Sequence, residues 1–248
     1  MKVVILIGYG WFILTCLVVG ARVLRLALRT GQIPEWALGI VLFVSGGLGY
    51  SLLFVGSLAF LPGELKGGTF AAGLVALCVG SAALYLFNWR VFRPNSVWAA
   101  LLFAGALFVL ISSFLVELLT TGFAGERDLI WYAVGTVTRA VPYGWAAAES
   151  LHHHARLRRS LRYGLADPMV VDRFRLWGLG AAAIFTSFTI VFVSGLIGEP
   201  TSHPPELVAV VACLGIPSAI ATALAFHPPA FYRRRFAGQH PVQAEPIS

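Results

Sequence analysis

The sequence predicts an all-α integral membrane protein: a bundle of seven transmembrane helices with the N-terminus outside and the C-terminus in the cytoplasm. Composition, apolar blocks and the placement of basic residues lead to this reading. Of 248 residues, 58% are apolar, 12% carry a charge, and mean hydropathy is +0.81. Ordinary soluble domains are about 25% charged, and a soluble chain this apolar would lack the polar surface to stay dispersed. A disordered chain would be poor in aliphatic and aromatic residues. Both classes are excluded.

Seven apolar blocks follow one another, at about residues 3–21, 36–61, 68–89, 97–119, 129–151, 176–198 and 207–227. Each approaches the roughly 20 residues that a helix needs to cross a bilayer core. The second, third, fourth and sixth carry no charge apart from Glu117 near the end of the fourth. The first could be read as a signal peptide ending near Gly20-Ala21. The three arginines that follow at once resist export and favour a retained helix.

Basic residues set the orientation. The first, third and fifth connections and the C-terminal segment hold fourteen, among them Arg22, Arg93, Arg156, Arg158, Arg159, Arg162 and Arg233 to Arg235. The other side has Lys2, Lys66 and Arg127, and Arg139 lies inside a block. Positive residues stay on the cytoplasmic side. The net charge of +7 therefore reads as topology rather than as a nucleic-acid surface. Trp36, Trp89, Trp98, Trp131 and Trp177 fall near block ends, as interfacial aromatic residues do. Cys16, Cys78 and Cys213 lie apart in apolar blocks, with neither metal-ligand nor disulfide spacing.

Small residues recur every fourth position at Gly68, Ala72, Ala76 and Gly80, and at Gly215, Ala219 and Ala223, where His227 continues the row. Such rows let helices approach closely in lipid. Residues 1–237 are expected to form one transmembrane domain, and 238–248 a polar, disordered cytoplasmic tail. A three-plus-one-plus-three repeat would relate helices one to three with five to seven. The central Pro142 of helix five has no counterpart in helix one, which argues against it.

Arg139 is the most informative residue. A charge at mid-membrane is costly and faces the bundle interior. At 100° per residue, Tyr132, Thr136, Tyr143, Ser150 and His153 share its face. Pro142 beside it frees a backbone carbonyl and can kink the helix. Arg139, Tyr143, Thr136 and Tyr132 are the expected ligand-binding residues, with guanidinium and phenol groups as donors to an anion. Glu117 on helix four joins the set as the acid that could instead pair with Arg139, although it lies about 10 Å nearer the outer surface at 1.5 Å per residue.

At the inner end, Glu149 and His153 share a helix face, and His227 ends helix seven at the same side. Imidazole and carboxylate could hold a metal, and His153 with His227 could ligate a haem iron. No third ligand is specified, so an interfacial helix end is the simpler reading. The absence of a His-x-x-x-His pair and of an intramembrane aspartate argues against a zinc hydrolase. Helix seven has no lysine for a Schiff base, which excludes retinal. Gly164 reads as a helix stop and Asp167-Pro168 as a helix start, so helix five should run to about Tyr163. Arg156, Arg158, Arg159, Arg162 and Asp167 then form a cytoplasmic surface for anionic lipid or a protein partner.

Gly164–Pro168 with Arg173-Phe174 and Trp177, and Ala225-Phe226-His227-Pro228-Pro229 with Tyr232, resemble uncharacterised seven-helix membrane proteins of bacteria, some of them similar to membrane sensor input modules. That resemblance implies a multi-pass protein of the bacterial inner membrane and supplies no catalytic residues. The expected function is a receptor-like one: a small or lipid-like ligand bound between helices, reported to a cytoplasmic partner. A small-molecule transporter and a haem or metal protein are the alternatives.

Overall fold

The computed structural model describes residues 2–56, 62–120, 123, 128–197 and 205–237. The tail from Gly238 and Arg127 lie outside the described residues. The fold is all-helical: α1 (Lys2–Thr30), α2 (Ile33–Gly56), α3 (Gly63–Phe92), α4 (Val97–Thr120), α5 (Leu129–Leu161), α6 (Pro168–Ile197), α7 (Pro205–Phe226) and the short α8 (Ala230–Ala237). Six of these, α1 to α4, α6 and α7, are long and apolar enough to cross a membrane. α5 is the longest at 33 residues. It is not apolar enough to join them, because Arg139, Glu149, three consecutive histidines and the terminal arginines lie along it.

Several helices outrun their apolar blocks because caps, not hydropathy, end a helix. α1 continues through Arg22, Arg25 and Arg29 to Gly31, whose φ of +68° only glycine adopts freely and whose N–H donates to Ala27 O at 2.8 Å. α5 starts at Asp128, whose Oδ1 accepts from Ile130 N and Trp131 N. It stops at Leu161 rather than Tyr163, in a Schellman turn. Gly164 has φ +69°, Leu165 N donates to Ser160 O, and Gly164 N to Leu161 O. Asp167 caps α6 through Met169 N at 2.8 Å, with Pro168 in the first turn as its fixed φ favours.

α2 contains a π-helical stretch, Val41–Gly49. Tyr50 N–H reaches back five residues to Ser45 O. Such stretches are rare and rotate the residues that follow. Gly46, Gly47 and Gly49 permit this one by leaving no side chains to crowd the widened turns. A Cβ on Gly46 would meet Cys16 Sγ of α1 at 2.6 Å.

Six helices close a circle in the order α1, α2, α3, α5, α6, α7 and back to α1. α4 stands outside, packed in the notch between α3 and α5. Its outer face is apolar and exposed, as at Leu101, Phe108 and Leu119, a surface suited to lipid tails. Small residues set the distances between the packed helices. A Cβ on Gly20 of α1 would lie 2.6 Å from Phe43 N of α2, and one on Gly8 2.6 Å from Ala212 O of α7.

The join between α3 and α5 centres on Pro142. Proline lacks the N–H that would bond the carbonyl of Thr138. The Tyr85 hydroxyl of α3 donates to that carbonyl at 3.0 Å. One turn along α3, Asn88 Nδ2 donates to Pro142 O at 2.8 Å. Tyr85 and Asn88 are both buried, three residues apart and so on one face. With neither water nor lipid able to bond these groups, the two side chains satisfy the backbone that the proline disrupts.

Two outcomes are expected from thermal unfolding in detergent. Tyr85→Phe should cost about 1 kcal/mol, since a buried carbonyl loses its donor and interhelical bonds in membranes average about 0.6 kcal/mol. Gly20→Val should lower Tm more than Gly10→Val, because a side chain at Gly10 meets open space. Equal losses would show that the α1–α2 distance does not matter.

Candidate functional site

A cavity of about 360 Å³ lies in the half of the bundle that contains the N-terminal end of α1. Its wall comes from all six helices of the circle and from none of α4. Tyr9 of α1, Tyr50 and Phe54 of α2, Phe70 of α3, and Phe188 and Val191 of α6 make it largely apolar. Tyr132, Thr136 and Arg139 of α5 add polar groups, with Ser187 of α6 and the hydroxyls of Tyr9 and Tyr50. The face read from the helical wheel is the buried one: Tyr132, Thr136, Arg139, Tyr143 and Ser150 all point inward.

Arg139 is 9% exposed. Its Nη2 donates to Thr136 Oγ1 at 3.4 Å, and its Nη1 lies 4.0 Å from Cys78 Sγ. Both contacts are long and neither partner is charged. The guanidinium folds back over Gly135, where a Cβ would meet Nη1 at 3.3 Å and Ser113 Oγ at 3.2 Å. Helical side chains lean toward their own N-terminus, and here that direction leads along the cavity wall. Among the described residues no carboxylate lies within ion-pair distance of Arg139. The expected partner, Glu117, is on α4 and does not line the cavity. A buried cation of five donors with two long contacts can receive an anion.

Tyr143 does not line the cavity. It lies one turn beyond Arg139 and stacks on Phe188, ring centroids 5.6 Å apart, and so supports a residue that does. The Tyr132 hydroxyl donates to Val191 O at 3.0 Å, which fixes α5 to α6 at the wall. Tyr9, Tyr50 and Phe188 were not among the residues expected. Tyr50 packs edge-on against Phe12 at 5.4 Å and tilts toward Tyr9 at 6.4 Å. Leu53 and Phe54 follow the π stretch with Tyr50, and all three reach the wall.

The groups at the opposite, basic end are held separately. Arg93 Nε donates to Glu149 Oε1 at 2.7 Å, and Trp145 Nε1 approaches the same oxygen at 3.4 Å. His153 Nδ1 lies 2.9 Å from the backbone oxygen of Glu149, and its ring stands between Phe92 and Phe174. Arg22 Nη1 lies against the His227 ring, 2.5 Å from Nδ1 and 2.6 Å from Nε2. No group of three or more His, Cys, Asp or Glu gathers among the described residues. Arg156, Arg158, Arg159, Arg162 and Asp167 are all exposed around the end of α5.

Because Glu149, His153 and His227 each have another partner, purified protein is expected to be colourless. A Soret band that disappears in His227→Ala would contradict this. Comparison of the chain with protein-family models, with curated proteins and with solved structures returns no match.

Proposed function

We propose that the protein binds a small amphiphilic anion in this cavity. The anionic head would sit on Arg139 and Thr136, and the apolar body among Tyr9, Tyr50, Phe70 and Phe188. The observation that carries the reading is a buried guanidinium with no carboxylate partner among the described residues, on the wall of a space within the usual range for small-ligand sites, about 300–1,000 Å³. A buried cation left unpaired is costly, and an anion of matching shape removes that cost.

In this reading α5 is the seventh crossing. It is enclosed by α3, α4 and α6, and its polar groups face inward rather than toward lipid. The arginine-rich end faces the cytoplasm and the cavity faces outward, as the positive-inside asymmetry favours. The protein is receptor-like, in a bacterial inner membrane. The exposed arginines of α5 and the turn to Asp167 would meet anionic headgroups or a cytoplasmic partner.

Octanesulfonate and 1-octanol make the test, because they share an apolar tail and differ in charge. Octanesulfonate should bind the full-length protein in detergent at least tenfold more tightly, as a charge-assisted hydrogen bond is worth about 1.5–3 kcal/mol. Arg139→Ala should abolish the difference and Arg139→Lys keep part of it, while Tm stays near wild type. Equal binding of the two probes by the wild-type protein would refute the site.

A further inference from the structure

The order of helices around the circle has a symmetry that the sequence does not carry. α1, α2 and α3 are successive neighbours, as are α5, α6 and α7. α3 meets α5 along one seam and α7 meets α1 along the other. α1 and α5 start from the same end of the bundle. A half-turn about the bundle axis therefore carries the order of the first three helices onto that of the last three, with α4 as the linker between them. This is the parallel-repeat layout in which substrate sites lie at the interface of the halves.

The cavity lies on that interface. Eight of its lining residues come from α1 to α3 and eight from α5 to α7. Among the described residues, one polar contact joins the halves at the basic end of each seam. Arg93, just past the end of α3, binds Glu149 of α5, and Arg22 of α1 meets His227, just past the end of α7. The two contacts occupy corresponding places, the end of the third helix in a half against the fifth or first. Arg93 is half exposed and Glu149 is buried, so parting them lets water reach the guanidinium while the carboxylate keeps only Trp145 Nε1, and the closed arrangement is favoured until water enters that end. Deeper in the α3–α5 seam, Tyr85 and Asn88 hold α5 at Pro142, where the helix lacks one backbone bond and can bend.

We propose that the protein carries its amphiphilic anion across the membrane, the two three-helix halves rocking about the Pro142 region. The Arg93–Glu149 and Arg22–His227 contacts are the latches that close the basic end. This rests on the cavity being an anion site and adds transfer to binding. Among the described residues no acidic side chain lines the cavity, and the movement proposed is passage down a gradient.

Two measurements on the full-length protein test it together. The first is entry of labelled octanesulfonate, which is permanently charged, into proteoliposomes. Initial rates should exceed those of Arg139→Ala vesicles at least tenfold. The second needs no ligand. Ser150 is fully buried near the basic end of α5, and Ser150→Cys, with the three native cysteines changed to alanine, reports whether that end opens. An impermeant maleimide added from the basic side should react at least tenfold faster after Glu149→Gln. It should return to the slow rate when Arg93→Glu and Glu149→Arg exchange the latch charges. Octanesulfonate that binds but does not enter, or a Ser150→Cys thiol that stays shielded in the Glu149→Gln protein, overturns transport and leaves the binding site standing. Absence of octanesulfonate binding removes the site and transport with it.

Discussion

The bundle depends on how it accommodates one proline. Pro142 denies Thr138 its helical hydrogen bond in a region where no solvent can replace it. Tyr85 and Asn88, one helical turn apart on α3, supply donors to Thr138 O and Pro142 O. This requirement fixes α3 against α5 at one height and one rotation. Arg139 precedes the proline by three residues, so the contact that satisfies the backbone also turns the guanidinium inward. Tyr143 follows by one residue and stacks on Phe188, which brings α6 to the same wall. The cavity therefore follows from how a helix defect is repaired.

Small residues do the corresponding work on the other side. Gly8 and Gly20 let the backbone of α1 touch α7 and α2. The glycines of the π stretch let α2 lie against Cys16 and then bring Tyr50, Leu53 and Phe54 to the cavity. The result is a closed circle of six helices with polar groups inside and the apolar face of α4 outside.

Much of this was legible in the sequence, unevenly and for physical reasons. Helical periodicity alone placed Tyr132, Thr136 and Arg139 on one wall, because a polar stripe in an apolar helix has few places to go. Gly164 and Asp167-Pro168 marked the turn before α6, because cap chemistry is local. The two short segments that carried the resemblance pack together: Trp177 meets Phe226 at 5.4 Å, and the Tyr232 hydroxyl binds Asp172. Other features had no local signature. Tyr9, Tyr50 and Phe188 are single aromatic residues in apolar runs, and nothing in their spacing separates a cavity wall from lipid contact. Pairing Glu117 with Arg139 assumed that α4 lay inside the bundle, which hydropathy cannot decide. Asn88 was the missed signal: a lone amide in an uncharged block, three residues from a tyrosine, needs a buried partner. Pro142 in helix five has no counterpart in helix one, and a kink in one helix does not alter which helices are neighbours, so sequence comparison of the two halves says little about helix order.

The central claim is that Arg139 is a buried cation that awaits an anion. A native mass spectrum of the protein, released from mild detergent directly after extraction, tests it most directly. A discrete added mass of an anionic small molecule on the wild-type protein, absent from Arg139→Ala, is the predicted result. A bare wild-type protein, or an adduct that survives Arg139→Ala, would contradict the account.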